Sequence, residues 1–364
     1  MRRTIRLSTM GRKPLIAAIG GRVTCHKRDR VPRLATQTEG CDVPHASRAN
    51  RGYTLVEVLV AVSIVALLAG LILAAIQSVR SRAARALDEN NLRQVGLAAQ
   101  SYDTHHGRLP PLIDRKRYPA VLPDDPTAGA HWAVPTAVFL VPYLEGPSVA
   151  SLYVGPVVGA AIHGLVLPAY SSPRDGTHVG GRLDRQRMPV ANGDDFVGVG
   201  NYAFNVWAVG GPRAVESVGP ALPGGGVAWS VSGRGTGLGN GFPDGTSGTL
   251  LLATKQGRCG NRGGSLFASA RFTGFDLPVP EYADQDTAAA FFGHRLPSVE
   301  GVGPTFQAAP GAADCDADLA QGFERGLINV GMADGSVRTI STGIDGRLWR
   351  GALLPDDGAR LSAE

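Results

Sequence analysis

The chain is poor in aromatic residues and lacks the motifs of common enzymes. Only 6% of its 364 residues are Phe, Trp or Tyr. It contains no His-Glu-x-x-His zinc motif, no Gly-x-Ser-x-Gly nucleophile motif and no Cys-x-x-Cys pair. His131, His163, His178 and His294 lie far apart, without the spacing of metal ligands. We therefore expect no enzyme activity and no catalytic residue.

Basic residues are scarce after position 52. Residues 1–52 contain 12 Lys or Arg and three acidic residues, a formal charge of +9 within a chain whose total is +5. The remainder therefore carries −4. Nucleic-acid-binding surfaces need clustered basic residues, so we expect no nucleic-acid partner.

The four cysteines divide at the same position. Cys25 and Cys41 come before residue 52, and Cys259 and Cys315 come after it. A Cys259–Cys315 disulfide is one expectation for a domain outside the cytoplasm, and two separate buried thiols are the alternative.

Glycine and proline are abundant, with 49 and 25 residues, and favour short strands joined by turns over a helical bundle. The dipeptide Asp334-Gly335 separates the apolar runs 327–332 and 337–340, which predicts a β-hairpin. Asp244-Gly245, before the apolar residues 250–252, has the same interpretation. We therefore expect a β-rich domain in the last two thirds of the chain.

One uncharged apolar run is long enough to cross a membrane. Residues 58–76 carry no charge, and a helix of this length, at about 1.5 Å per residue, nearly spans the ~30 Å hydrocarbon core. A buried core helix is the alternative, but such helices rarely stay apolar on all sides for five turns. We predict a transmembrane segment at about residues 55–77.

The residues before this run carry a processing signal. Arg51 and Gly52 come just before the run, followed by Tyr53 and by a single carboxylate, Glu57. An ordinary secretory signal is cleaved after its apolar run instead. The segment resembles the prepilin signature of type IV pilins and type II secretion pseudopilins, with Tyr in place of the usual Phe. The resemblance implies cleavage after Gly52, N-methylation of Tyr53 and an assembly role for Glu57.

Glu57 also has an interpretation that does not depend on this resemblance. A carboxylate in an apolar helix costs about 2.5 to 3.5 kcal/mol on insertion scales, so it is normally paired or functional. Cleavage at Gly52 creates an α-amino group, and the amine of a neighbouring subunit is the natural partner during assembly. The alternative is a carboxylate at the membrane edge that reaches the headgroups.

Three segments follow from these patterns. Residues 1–52 form a basic leader, and a later translation start near Val43 would shorten it to the length usual for prepilins. Residues 53–106 form an assembly helix, because apolar residues continue at helical spacing until His106-Gly107: Val79, Ala83, Ala86, Leu92, Val95, Ala99 and Tyr102. Residues 107–364 form the exported domain. The predicted fold class is α+β and pilin-like, with the long helix packed on an antiparallel β-rich domain.

An ordered set of short motifs resembles a prepilin-like family of unknown function that is abundant in planctomycete bacteria. The motifs are residues 90–97, 109–111, 142–145, 201–202, 244–247, 329–330 and 333–338, the last reading Ala-Asp-Gly-Ser-Val-Arg. Three positions depart from the family pattern. Glu324 stands where a His is common, residues 171–175 replace a Cys-Pro-Ser-Asp element, and Thr254-Lys255 stands where a Glu often follows.

Several aspartates offer a Ca²⁺ alternative. Asp314, Asp316 and Asp318 alternate as in the first positions of an EF-hand loop, but the Gly and the terminal Glu of that loop are missing. Asp334 in the predicted hairpin is a further candidate. A solvated acidic turn is the favoured interpretation, so we expect no cofactor, with Ca²⁺ as the alternative.

The resemblance implies a structural protein of the bacterial cytoplasmic (inner) membrane, with a single span and an extracytoplasmic C-terminal domain. It would assemble into a type II secretion pseudopilus or a pilus-like fibre, at the surface or in the periplasm. Its implied partners are the inner membrane, the prepilin peptidase and methylase, other pilin-like subunits and the secretion assembly platform. The alternative is a membrane-anchored binding or adhesion module that does not polymerise.

Overall fold

The computed structural model describes residues 52–114, 134–144, 162, 164–184, 196–211, 216–217, 229–230, 235–260, 263–268 and 289–358. The predicted leader lies outside the described residues, apart from Gly52. The chain divides into two compact units, residues 1–63 and 64–364.

The long helix that the sequence predicts is present. Helix α1 (Leu55–His106) contains 52 residues. Gly107 follows it in the left-handed region, with φ of +68°, and its N–H donates to the carbonyl of Asp103 at 2.7 Å. Glycine adopts this conformation without strain, and the two prolines at 110–111 prevent further helix. The predicted end of the helix is therefore confirmed.

The buried face of α1 begins about three turns beyond the apolar run. Its first buried residue is Asp88, and the buried face continues through Leu92, Val95 and Tyr102. Val79 is 65% exposed, and Ala83 and Ala86 are exposed as well. Val79, Ala83 and Ala86 therefore continue the helical spacing of the later apolar residues, but they are not part of the packed face. The apolar residues between Val79 and Asp88 are mostly alanines among arginines, and alanines offer little apolar area to bury.

The other helices and the strands are short. Within the described residues, the further α-helices are α2 (Thr136–Phe139), α3 (Val206–Gly210) and α4 (Gly346–Leu353). The strands are β1 (Ile113–Asp114), β2 (Val134–Pro135), β3 (Arg182–Asp184), β4 (Phe196–Gly198), β5 (Tyr202–Asn205), β6 (Glu216–Ser217), β7 (Trp229–Ser230), β8 (Leu250–Thr254), β9 (Phe291–Phe292), β10 (Gln307–Ala308), β11 (Gln321–Gly322), β12 (Leu327–Met332) and β13 (Val337–Ser341).

A five-stranded sheet organises the domain, in the order β13-β12-β8-β5-β9. Its pairs are antiparallel except β5–β9, which is parallel. Successive side chains of a strand point to opposite faces, and β5 shows this directly. Tyr202 and Phe204 pack in one core with the buried face of α1, whereas Ala203 packs in a second core with Trp349 of α4. The α+β class with a helix packed on a β-rich domain is therefore confirmed.

The two predicted hairpins have different outcomes. Strands β12 and β13 pair across Asp334-Gly335, with Gly331 opposite Val337, so that hairpin is confirmed. Asp244-Gly245 forms a turn, but residues 235–243 before it contain no strand. Strand β8 pairs with β12 and β5 instead, so the prediction of a second hairpin is wrong. The Asp244 carboxylate accepts the Gly358 N–H at 3.0 Å and thereby ties the end of the domain to this turn.

Candidate functional site

The predicted cleavage site is open to solvent. Gly52 precedes α1, and a Cβ built on it would meet nothing within 4 Å. Tyr53 is 85% exposed. Both residues on either side of the predicted bond are therefore accessible to a peptidase.

Thr54 and Glu57 form a reciprocal cap at the start of α1. The Thr54 N–H and hydroxyl both donate to Oε2 of Glu57, at 2.9 and 3.0 Å. In return the Glu57 N–H donates to the Thr54 hydroxyl oxygen at 3.3 Å. This is a capping box, which satisfies amide groups that a helix start otherwise leaves without partners. Within a single chain, the Glu57 carboxylate therefore already has a hydrogen-bond role.

The helix that follows is apolar enough to cross a membrane. An 18-residue window of α1 has a mean hydropathy of 2.9, and no part of that window is buried against the rest of the chain. Large side chains around the helix are more than half exposed, among them Leu59, Val62, Val65 and Leu71. A core helix would bury such residues, so this segment needs lipid or other helices around it.

Residues 47–73 match the family model of the prokaryotic N-terminal methylation motif. The N-terminus is prepilin-like. The match covers Gly52, Tyr53 and Glu57, and it supports a relation to type IV pilins and pseudopilins. No curated protein and no solved structure matches the chain.

A buried carboxylate joins the helix of this prepilin-like chain to the sheet. Asp88 is fully buried on α1; its Oδ1 accepts the Tyr202 hydroxyl at 2.8 Å and its Oδ2 accepts Nδ2 of Asn329 at 3.0 Å. Nη1 of Arg174 lies 3.7 Å from Oδ2. Burial, together with the charge of Asp88, raises the pKa of Tyr202, so this hydroxyl remains a donor. The sequence signal is an aspartate on the same face as Leu92, four residues earlier.

An ion-pair chain continues from Arg174 to the surface. Nη2 of Arg174 lies 2.7 Å from Oε2 of Glu324, and the same oxygen accepts a hydrogen bond from Arg85 of α1. Burial alone would raise the pKa of Glu324, but the two arginines outweigh it and lower that pKa. Arg174 and Glu324 both occupy positions where the sequence departs from the family pattern, and the structure brings them together.

Asn201 is the centre of a second polar cluster. Its Nδ2 donates to Asp175 at 2.6 Å and to the Lys255 carbonyl at 2.9 Å. Its Oδ1 accepts the Ser172 N–H at 2.9 Å and Nε2 of His178 at 3.0 Å. These four bonds use the full hydrogen-bonding capacity of the amide. Asn201 therefore fixes the 171–178 loop beside β5, which is a structural role.

Lys255 and His294 are buried and already have partners. Nζ of Lys255 donates to the carbonyls of Phe291 at 2.9 Å and Ala289 at 3.3 Å. Burial lowers the pKa of Lys255 to about 8 despite the attraction of two aspartates. Burial also lowers the pKa of His294, whose Nε2 lies 3.6 Å from Asp318. This lysine therefore bonds the backbone rather than an open site.

The aspartates considered for Ca²⁺ do not come together. Asp316 pairs with Arg295, and Asp334 accepts the Ser336 N–H at 2.9 Å in the hairpin turn. Asp314 is exposed, and Asp318 faces His294. In the part of the chain that the structure describes, no group of three His, Cys, Asp or Glu residues is placed to hold a metal ion.

Two cysteines of the β-rich domain lie together. Cys259 and Cys315 form a disulfide, with 5.3 Å between their Cα atoms. Both are buried, and they pack with Ala317 in a small cluster of their own. The bond ties the segment after β8 to the acidic turn that contains Asp316.

Proposed function

We propose that the chain is a prepilin-like structural protein that is cleaved after Gly52, methylated on Tyr53 and assembled through α1. Its assembly would be a type II secretion pseudopilus or a pilus-like fibre, built with other pilin-like subunits on a secretion assembly platform. The match of residues 47–73 to the N-terminal methylation motif, directly at the start of the apolar helix, carries this proposal. The ordered motifs of the domain support a place among the prepilin-like proteins abundant in planctomycetes.

The exposed apolar surface of α1 supports a membrane-anchored subunit. Side chains such as Leu59, Leu67 and Leu71 remain 60%, 67% and 66% exposed in the single chain. Each large apolar side chain left in water costs about 1.5 to 3 kcal/mol relative to burial. Lipid covers this surface before assembly, and neighbouring helices cover part of it in a fibre. In this proposal the single span anchors the chain in the inner membrane and the domain lies on the extracytoplasmic side.

The capping box makes the assembly role of Glu57 testable. Glutamine also serves in a capping box, but it has no charge to pair with a neighbouring amine. Glu57→Gln therefore preserves the local cap and removes only the charge. We expect Glu57→Gln to insert into the membrane but to fail to assemble. Thr54→Ala is the matched control, because it weakens the cap and keeps the charge.

Assembly is measured by crosslinking between copies in cells that produce the processed protein. Engineered cysteine pairs at Leu59 and Leu71 should give a ladder of crosslinked species for the parent and for Thr54→Ala. The ladder should disappear for Glu57→Gln. A ladder for all three chains would remove the charge-pairing role. Processed parent protein without any ladder would favour the non-polymerising binding or adhesion module.

We also infer a non-catalytic domain without a cofactor. Asp88, Lys255 and His294 are among the buried ionisable side chains of the described residues, and each contacts a group of its own chain. Such contacts orient a fold and direct none of these three groups at a substrate. A purified domain with hydrolase activity that depends on one of these residues would overturn this inference.

A further inference from the structure

Two arginines just beyond the apolar run have no partner within the described part of the chain. Arg80 and Arg82 are exposed on α1 and make no hydrogen bond or ion pair with any described residue. Arg85, one turn further on, is different because its guanidinium pairs with Glu324. Of these three described arginines, two therefore have free guanidinium groups and one is already neutralised.

The spacing from the apolar run places these two arginines at headgroup depth. The last residue of the uncharged apolar run is Ile76. At a rise of 1.5 Å per residue, the Cα atoms of Arg80 and Arg82 lie about 6 and 9 Å further along the helix. The headgroup layer of one leaflet is about 5 to 7 Å thick. Helical side chains lean towards the helix N-terminus, so both guanidinium groups reach back into this layer.

We propose that Arg80 and Arg82 form a collar that binds the phosphates of anionic lipids in the leaflet below the exported domain. Positions two residues apart lie about 200° apart around a helix, so the collar contacts lipid on opposite sides. Guanidinium groups bind phosphate oxygens through paired, charge-assisted hydrogen bonds. The inference rests on the proposed membrane anchorage of α1. The collar sets the depth of the helix and resists its withdrawal from the bilayer.

Local lipid composition tests the collar. The full chain carrying Val79→Trp is reconstituted in vesicles of phosphatidylcholine with phosphatidylglycerol, and one lipid at a time is brominated near its headgroup. Val79 is exposed beside Arg80. The fluorescence of the native tryptophans is measured in the parent chain and subtracted. Quenching at this position reports on one leaflet only, because about 30 Å of hydrocarbon separates it from the other leaflet.

We expect brominated phosphatidylglycerol to quench the new tryptophan several-fold more than brominated phosphatidylcholine at equal fractions. Each arginine near an anionic surface contributes about a fivefold enrichment, equivalent to about 1 kcal/mol. Arg80→Gln with Arg82→Gln should remove the preference, and the two Lys replacements should retain most of it. Arg85→Gln, the matched control, should leave the preference unchanged.

Three results would overturn the collar. The double Gln variant could keep the preference for phosphatidylglycerol, or Arg85→Gln could lose it to the same extent. The parent could also show no preference for phosphatidylglycerol, while crosslinks between copies depend on Arg80 and Arg82. In that case acidic residues of a second copy would be the partners of these arginines. Carbonate extraction of the vesicles shows separately whether the parent chain is inserted. A parent chain that does not insert at all would refute the membrane anchorage itself.

Discussion

Replacing Asp88 should separate the long helix from the sheet. Asp88→Ala removes the acceptor of the Tyr202 hydroxyl and of Asn329, and it leaves Arg174 without its buried counter-charge. Hydrogen bonds to a charged group contribute about 1.5 to 3 kcal/mol each, and removing one partner of a buried ion pair costs about 3 to 5 kcal/mol. These effects overlap, so we expect a loss of about 3 to 5 kcal/mol in the free energy of unfolding.

A second substitution at this position separates shape from charge. Asp88→Asn keeps the volume and one oxygen for Tyr202, but it turns a donor towards Nδ2 of Asn329 and removes the charge opposite Arg174. We expect an intermediate loss of about 1.5 to 3 kcal/mol. Glu89→Ala is the matched control, because Glu89 is the next acidic residue of α1 and is only half-buried. Glu89→Ala should change the free energy of unfolding by no more than about 0.5 kcal/mol.

The assay is urea unfolding of the full chain in mild detergent, followed by a short protease pulse that digests only unfolded domains. The quantity compared is the free energy of unfolding at one temperature and salt concentration. A loss below about 1 kcal/mol for Asp88→Ala, equal to the Glu89→Ala control, would refute the role assigned to Asp88. A loss of about 3 kcal/mol or more in both Asp88→Ala and Glu89→Ala would show instead that any change in this part of α1 disturbs the domain.

Three further predictions use the same assay. The pKa of Lys255 is about 8 in the fold against an ordinary 10.5, so the unfolded chain binds more protons between these values and stability rises with pH. We expect a gain of about 1 kcal/mol in the free energy of unfolding from pH 7.5 to 9, where most tyrosines with an ordinary pKa of about 10 stay protonated, and no such gain in Lys255→Met. The lowered pKa of His294 predicts that stability falls as pH drops below about 6.5, and His294→Asn should weaken that dependence. Relative to the parent, Cys315→Ser should lose about 2 to 4 kcal/mol in the free energy of unfolding under oxidising conditions. After the disulfide of the parent is reduced, the two chains should be equally stable. An equal loss in both conditions would contradict the disulfide.

Local signals made much of the helix and one hairpin predictable. The end of α1 depends on a glycine at 107 and two prolines shortly after it, all within five residues. The β12–β13 hairpin depends on Asp334-Gly335 between two apolar runs. The Thr54 and Glu57 capping box was also readable, because a threonine three residues before a glutamate is its sequence pattern. Neither interpretation of Glu57, as the partner of another subunit's amine or as a carboxylate that reaches the headgroups, included this cap.

Contacts between distant residues could not be predicted in the same way. Asp88 bonds Tyr202 and Asn329, which are 114 and 241 residues away in sequence. No local pattern indicates which polar groups a buried carboxylate will meet at such separations. The parallel β5–β9 pair and the meeting of Arg174 with Glu324 are further examples. The start of the packed face of α1 at Asp88 could not be predicted for a related reason, because helical spacing shows which residues share a face and not where a sheet begins to cover them.

The mature N-terminus tests the central claim most directly. Mass spectrometry of the protein purified from its own membrane fraction identifies the first residue and any methyl group on it. The account predicts a chain that begins at N-methylated Tyr53. A chain that retains residues 1–52, or one that begins after Ala75, would contradict it.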